Sequence, residues 1–203
     1  MDGKELVSGA AYDVYMDIKK RTNGEIYFGV VGPVRTGKST FIKRFMELCV
    51  LPSMKDDNKR KRAQDELPQS SGGTTVMTVE PKFIPSEAAL ISPFEGINMK
   101  VRLVDCVGFM VEGANGHLDN GKERMVKTPW DTKEIAFSKA AEIGTKKVIN
   151  DHSTIGIVVT TDGSFTEIDR TNYIVAEKKT INELKKINKP FVVILNSDKP
   201  YAT

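Results

Sequence analysis

Apolar positions along the chain fall into short continuous runs and into longer stretches at helical spacing, and the two kinds alternate. Residues 26–31, Ile-Tyr-Phe-Gly-Val-Val, read as a buried strand. Ahead of it, Val14, Tyr15 and Ile18 lie at helical spacing after a patternless start. Residues 1–24 are therefore expected to form a leader and a helix, and residues 25–203 the main domain. Residues 38–50 place Phe41, Ile42, Phe45, Met46 and Cys49 on one broad face, which predicts a helix ended by Leu51-Pro52. Residues 53–75 are polar and turn-rich, and residues 109–135 are rich in glycine and charge, so both are expected to be long irregular connections. Between them, 76–84 and 97–107 predict a strand pair. The remainder predicts a helix over 136–150, a strand over 155–160, a helix over 172–187 and a strand over 191–195. Strands separated by helix-length patterns imply an α/β domain with a mainly parallel sheet.

The turn between the first strand and the following helix carries the strongest chemical signal. Gly32-Pro33-Val34-Arg35-Thr36-Gly37-Lys38-Ser39 matches G-x-x-x-x-G-K-[ST], the pattern of a phosphate-binding loop, and Thr40 continues into the helix. Gly32 and Gly37 allow the backbone to wrap a phosphate with successive N–H groups turned inward, and the helix adds its positive end. In such a loop Lys38 reaches the β and γ phosphates and the Ser39 hydroxyl ligates Mg²⁺. Arg35 supplies positive charge to the phosphates or is simply a solvated loop residue; the residues leave both open.

Downstream, residues 101–105 form an apolar run ending in Asp105-Cys106-Val107-Gly108, a D-x-x-G motif at a strand end. With the loop upstream, Asp105 is expected to hold Mg²⁺ through water and the Gly108 amide to sense a γ phosphate. Cys106 reads as a small buried filler. Phe109 follows, where many GTPases carry a glutamine that orients water, and phenylalanine cannot do so. Thr78 is the candidate to cap metal and water instead, with Thr74 and Thr75 as rivals and an ordinary strand threonine as the alternative. At the end of the last strand stand Asn196-Ser197-Asp198-Lys199, where GTPases carry N-K-x-D. Lys199 in the fourth position offers only donors and cannot accept from guanine, and Asp198 is offset by one residue. Asn196 is expected to bridge to the phosphate loop, with Ser197 beside the base.

Composition narrows the partners. The 203 residues carry 30 Lys and Arg against 27 Asp and Glu, too even a balance for a charge-driven nucleic-acid or membrane-surface protein. No apolar stretch is long enough to span a bilayer, and two cysteines do not make a disulfide scaffold, so a reducing cytoplasm is the expectation. His117 and His152 stand apart from the cysteines, which argues against zinc. The run Lys59 to Arg62 reads as a solvated helix face, with binding to an acidic partner, nucleic acid or the nucleotide as the alternative, and the pairs Lys178-Lys179 and Lys185-Lys186 read as solvated surface charge. Trp130 reads as a local anchor for the second connection or as an interface residue.

Beyond single motifs, several strings resemble one family. These are Asp13-Val14-Tyr15, the stretch Gly29 to Lys43, Arg62-Ala63-Gln64-Asp65-Glu66-Leu67-Pro68-Gln69-Ser70, Glu80-Pro81-Lys82-Phe83, Leu103 to Gly108 and Ala141-Glu142-Ile143-Gly144-Thr145. Together they resemble the stage IV sporulation protein A family, the spore-coat basement ATPases of endospore-forming Firmicutes. The resemblance implies a three-layer P-loop NTPase of the GTPase-like (TRAFAC) type that has switched to ATP, with Lys38 and Asp105 as phosphate and metal residues. It also implies ATP and Mg²⁺ as ligands, and ATP hydrolysis coupled to self-assembly on the outer forespore membrane; with Phe109 in place of glutamine, either that hydrolysis is slow or another group positions the nucleophile. By the same resemblance the partners are further copies of itself, a small amphipathic membrane-anchoring peptide and other coat proteins, and the place is the mother-cell cytoplasm. The family often shows two threonines where this chain has Thr78-Val79. A sheet of this type is expected to continue past residue 196, so the domain is expected to be C-terminally incomplete with one exposed edge. A GTPase-like switch that recruits partners is the main alternative function. A small-molecule kinase is a weaker third, because of the D-x-x-G and the lack of an arginine-rich lid.

Overall fold

The computed structural model describes residues 24–68, 79–94, 97–119 and 121–201. Apart from Gly24, the expected leader and helix lie outside these, as do Thr74, Thr75 and Thr78. Strand β1 (Glu25–Val31) occupies the middle of a five-stranded sheet. It pairs in parallel with β3 (Ile97–Asp105) on one side and β8 (Ile155–Thr161) on the other. Beyond β8 lies β9 (Phe191–Asn196), also parallel, and beyond β3 lies β2 (Lys82–Phe94), the antiparallel member. A mainly parallel sheet carrying an antiparallel edge strand is the arrangement of P-loop NTPases.

Alternation along the strands divides the core into two halves. Ile26 and Val30 of β1, Leu103 of β3 and Ile157 and Val159 of β8 face one side. There they meet Ile42 of helix α1 (Lys38–Phe45) and Met46 and Val50 of the π-type turn that prolongs it. Ile42, Met46 and Val50 are fully buried, each worth about 1.5–3 kcal/mol of apolar burial. Val31, Val104 and Val158 face the other side. That side is covered by Val148 and Ile149, in the turn that ends helix α3 (Phe137–Lys147), and by Tyr173, Ala176 and Leu184 of α4 (Arg170–Lys186). Helices on both faces of one sheet make three layers, as expected.

Three expectations are corrected. Within the first expected irregular stretch lies helix α2 (Asp57–Asp65). Its start is set by the Asp56 carboxylate, which accepts the Asn58 and Lys59 N–H groups at 2.9 and 3.0 Å. Only Ala63 of this helix is buried, so it carries no apolar period to read. Its Lys59 and Arg62 lie 3.4 and 3.7 Å from Glu87, as exposed surface pairs.

The strand expected over 76–84 instead runs from Lys82 to Phe94, through Pro85. An edge strand tolerates proline, and the pairing with β3 shifts register between Ile84 and Ala89. There the Glu66 carboxylate accepts both the Ser86 N–H and its hydroxyl at 2.6 Å.

The second expected irregular stretch forms two hairpins. They are β4 (Leu118–Asp119) with β5 (Lys122–Glu123), and β6 (Met125–Thr128) with β7 (Asp131–Ala136). Trp130 lies in the turn of the second hairpin, against Gly144, with the Lys147 ammonium 5.8 Å from its ring centre. It anchors the hairpin to α3. At the far edge of the sheet, β9 leaves Val192, Val193 and Leu195 more than half exposed. Among the described residues no helix is long and apolar enough to cross a membrane.

Candidate functional site

The site is built where β1, β3, β8 and β9 end together, a consequence of their parallel pairing. Val31 of β1 runs straight into the loop 32–37 and the first turn of α1. Gly37 takes φ +88° immediately before the helix, a conformation that costs an L side chain but not glycine. Arg35 adopts φ +59°, so the loop carries left-handed backbone at a residue with a long side chain, which is exposed. Thr36 and Lys38 are buried, and the Thr36 hydroxyl donates to the Pro33 carbonyl at 3.0 Å. The Lys38 ammonium folds back over the loop and donates to the same carbonyl. Thr40 is exposed, one residue beyond Ser39.

Asp105 ends β3 opposite Val30 of β1, which brings it beside the helix start. The Ser39 hydroxyl donates to its Oδ2 at 2.9 Å, while its Oδ1 is buried without a hydrogen-bond partner among the described residues. Burial lowers the affinity of Lys38 for its proton, with Asp105 opposing that. Burial likewise raises the carboxyl of Asp105 above the usual range, against the pull of Lys38 and the Ser39 hydrogen bond. Each charge is thus short of compensation, as expected of groups that gain a ligand of opposite sign. An oxygen-seeking divalent cation such as Mg²⁺ fits the pair Ser39 and Asp105, because the orphaned Oδ1 is an anionic oxygen ready for it. Cys106 is buried beside them, with its Sγ 3.5 Å from the Val30 carbonyl and its thiol pushed up to about 11 by burial.

Gly108 and Phe109 lie directly on the phosphate loop. The Val34 N–H donates to the Phe109 carbonyl at 2.9 Å, and the Phe109 N–H donates to the Gly32 carbonyl at 3.2 Å. Gly108 has φ +100°, and a Cβ there would stand 2.3 Å from the Gly32 carbonyl oxygen and 2.7 Å from the Lys38 ammonium. The contact admits only glycine. The Phe109 ring is buried beside Val34 and Val111, and the Lys179 ammonium sits 4.8 Å from its centre. Lys179 is in turn 2.7 Å from Glu142 of α3, so the expectation that it is plain solvated charge is corrected: it roofs the Phe109 ring.

Asn196 of β9 donates its amide to the Thr36 carbonyl at 3.2 Å, joining the end of β9 to the loop 32–37 as expected. The Ser197 hydroxyl accepts the Lys199 N–H at 3.1 Å. The structure thus gathers Gly32 to Ser39, Asp105, Gly108 and Asn196 with Ser197 at one end of the sheet. Thr78 falls outside the described residues. Sequence reasoning took Lys179 for plain surface charge and passed over Asp162 with Ser164, which are hydrogen-bonded to Asn196 and Asp198 at the end of β9. The turn signal Asp162-Gly163-Ser164 at a strand end was there to be noticed.

Among the described residues no group of three or more His, Cys, Asp and Glu side chains is placed to hold a metal ion by itself. Residues 10–203 match the family described as "Stage IV sporulation protein A, ATPase domain". The chain is 57% identical over 189 residues to stage IV sporulation protein A of Bacillus anthracis, covering 93% of this chain and 38% of that one. It is 58% identical over 188 residues to the protein of the same name from Clostridioides difficile strain 630, with the same coverages. That from Bacillus subtilis strain 168 is 56% identical over 189 residues, again over 93% and 38%. The chain therefore spans well under half the length of these relatives. On a match over nearly its whole length, at a phosphate loop and a strand-end aspartate that meet in space, the chain belongs to the stage IV sporulation protein A family.

Proposed function

We propose that this chain is a Mg²⁺-dependent ATPase that acts in sporulation, and that its turnover drives self-assembly of the coat basement layer on the forespore membrane. The observation that carries the reading is the meeting of Lys38, the Ser39–Asp105 pair and the Gly108–Phe109 backbone on one phosphate loop. The Lys38 ammonium, now spent on the Pro33 carbonyl, would turn to β and γ phosphate oxygens, which are stronger acceptors. Inward loop N–H groups would share that charge. Ser39 and Asp105 would hold Mg²⁺, which when bound neutralises charge on the phosphate oxygens. Gly108 lets the backbone come close enough for its amide to report a third phosphate. Phe109 cannot position water, so that role falls to the segment containing Thr78, and turnover is slow. Arg35 has the loop position from which a cation could reach the phosphates.

Adenine over guanine is supported by Lys199, whose ammonium offers no acceptor to the guanine edge. Assembly, the coat partners and the membrane-anchoring peptide belong to the reading through the family alone. The two backbone bonds between the Phe109 segment and the loop also suit a nucleotide-dependent switch that recruits partners. Release of phosphate from ATP and from GTP by the wild type and Lys38→Ala separates these. ATP turnover that Lys38→Ala abolishes is expected; equal or preferred use of GTP refutes the adenine assignment, and tight binding without turnover favours the switch. ATP-dependent sedimentation of the chain at the length of its relatives tests assembly.

A further inference from the structure

Asn172 and Lys179 stand seven residues apart on α4, and so on one face of the helix, and both reach the segment that follows the D-x-x-G motif. The Asn172 amide donates to the Glu112 carbonyl at 3.3 Å, and the Lys179 ammonium lies 4.8 Å from the centre of the Phe109 ring. Lys178, the preceding residue, is exposed, whereas Lys179 is half-buried. Its charge is fixed from α3. One carboxylate oxygen of Glu142 meets Lys179 at 2.7 Å, and the other meets Lys146 at 2.9 Å. Hydrogen bonds from Lys179 first, then Lys146, hold the Glu142 carboxyl below the usual carboxylate range, so the anion persists at physiological pH. With 39% and 36% of their side chains exposed, Lys179 and Glu142 add little to stability as a pair. The consequence of the pair is positional. A cation held at its tip by a carboxylate cannot swing to solvent without giving up both the anion and the ring face.

The ring beneath Lys179 belongs to backbone that touches the phosphate loop. Phe109 bonds Gly32 and Val34 through its N–H and carbonyl, and it lies beside Pro33 in a short parallel bridge. Gly108, one residue earlier, lies against Lys38. A ring that tips out from under Lys179 therefore shifts Gly108 and its amide. The two ends of a nucleotide's phosphate chain would feel this differently. Loop amides and Lys38 suffice for a diphosphate, and the roof over Phe109 touches neither. The Gly108 amide meets only a third phosphate, so its displacement slows the transfer step and leaves diphosphate binding as it was.

We propose that Lys179, fixed by Glu142, is a positioning residue for ATP turnover, acting through the Phe109 ring on the placement of the Gly108 amide. This rests on the nucleotide-binding reading above. The test measures kcat and KM for ATP and the dissociation constant of ADP, with each variant made at the length of the relatives. In Lys179→Ala, kcat is expected to fall about two- to fivefold, the loss of a cation from a ring face. The KM for ATP and the ADP constant are expected to stay within about 1.5-fold of wild type. Glu142→Gln is expected to slow turnover in the same way but less, and the double variant to be no slower than Lys179→Ala alone. Lys179→Arg keeps a cation that can both stack on the ring and pair with Glu142, and is expected to retain the wild-type kcat. Lys146→Ala removes the other ion pair made to the same carboxylate and is expected to leave kcat unchanged. Slowing by Lys146→Ala equal to that by Lys179→Ala, or an ADP constant that rises in step with the loss of kcat, refutes positioning in favour of general support of the fold. An unchanged kcat in both Lys179→Ala and Glu142→Gln overturns the proposal and leaves the nucleotide reading intact. Failure of the wild type to hydrolyse ATP overturns that reading, and this one with it.

Discussion

Replacing Phe109 with glutamine places at this position the residue that orients water in many GTPases, and the structure predicts that it damages rather than activates the protein. The ring is 2% exposed, packed beside Val34 and Val111 and roofed by Lys179. Removing it forfeits about 2–3 kcal/mol of apolar burial, and the cation over its face adds about 0.5–1 kcal/mol. A glutamine amide left in that apolar space without partners costs about a further 1–3 kcal/mol. The sum, about 3.5–7 kcal/mol, is a large part of the about 5–15 kcal/mol that stabilises a typical domain. Swinging the side chain out to water avoids the amide cost but strains the two backbone bonds that join Phe109 to Gly32 and Val34. Trp130 is the single tryptophan, packed on α3, so urea unfolding can be followed by its fluorescence. The expected result for Phe109→Gln is a clearly lower urea midpoint with ATP turnover, measured well below the transition, no faster than wild type. Phe109→Leu, which keeps apolar volume, should lose no more than about 1.5 kcal/mol. Wild-type stability combined with faster turnover in Phe109→Gln would refute the reasoning, because position 109 would then face the phosphates and not the core.

Further outcomes follow from burial around the site. Lys38 holds its proton less well than its ordinary 10.5, and a bound polyphosphate restores that hold. Binding of ATP should therefore take up a proton in the window between the lowered value and 10.5, and affinity should fall as pH rises through it. Calorimetry in two buffers of different ionisation heat measures this, and Lys38→Ala should abolish the uptake. Cys49 is exposed whereas Cys106 is buried with its thiol at about 11, so a thiol-specific chromogenic reagent should label one cysteine in the native protein and both in denaturant. Gly144→Ala should destabilise by about 1–3 kcal/mol in thermal melts despite the better helix propensity of alanine, because the added Cβ would lie 2.7 Å from the Val79 carbonyl.

The parts of the fold legible in the sequence were those with a local cause. The buried strand at 25–31, the helix that follows it and the later alternation of helix and strand all carry apolar periods that need no tertiary knowledge. Helix α2 showed only as a charged face at 59–62, without its bounds, because a capping aspartate and one buried alanine hold it and it carries no apolar period. β2 was displaced because proline and serine at its bulge read as a turn, while a glutamate from another element meets the backbone there. Trp130 became a defined anchor only once the hairpin had folded onto α3.

The sequence by itself determined the G-x-x-x-x-G-K-[ST] loop, the strand-end D-x-x-G motif and the lack of an acceptor in the Lys199 side chain, since each is a matter of residue type within a short span. Only the tertiary structure decided what those residues touch. It joined Ser39 to Asp105, laid Gly108 on Lys38, buried Phe109 beneath Lys179 and set Ser164 against the Asp198 amide. Those pairs come from different strands and helices far apart in the chain. They meet because sheet register, not local propensity, chooses which strand ends lie side by side.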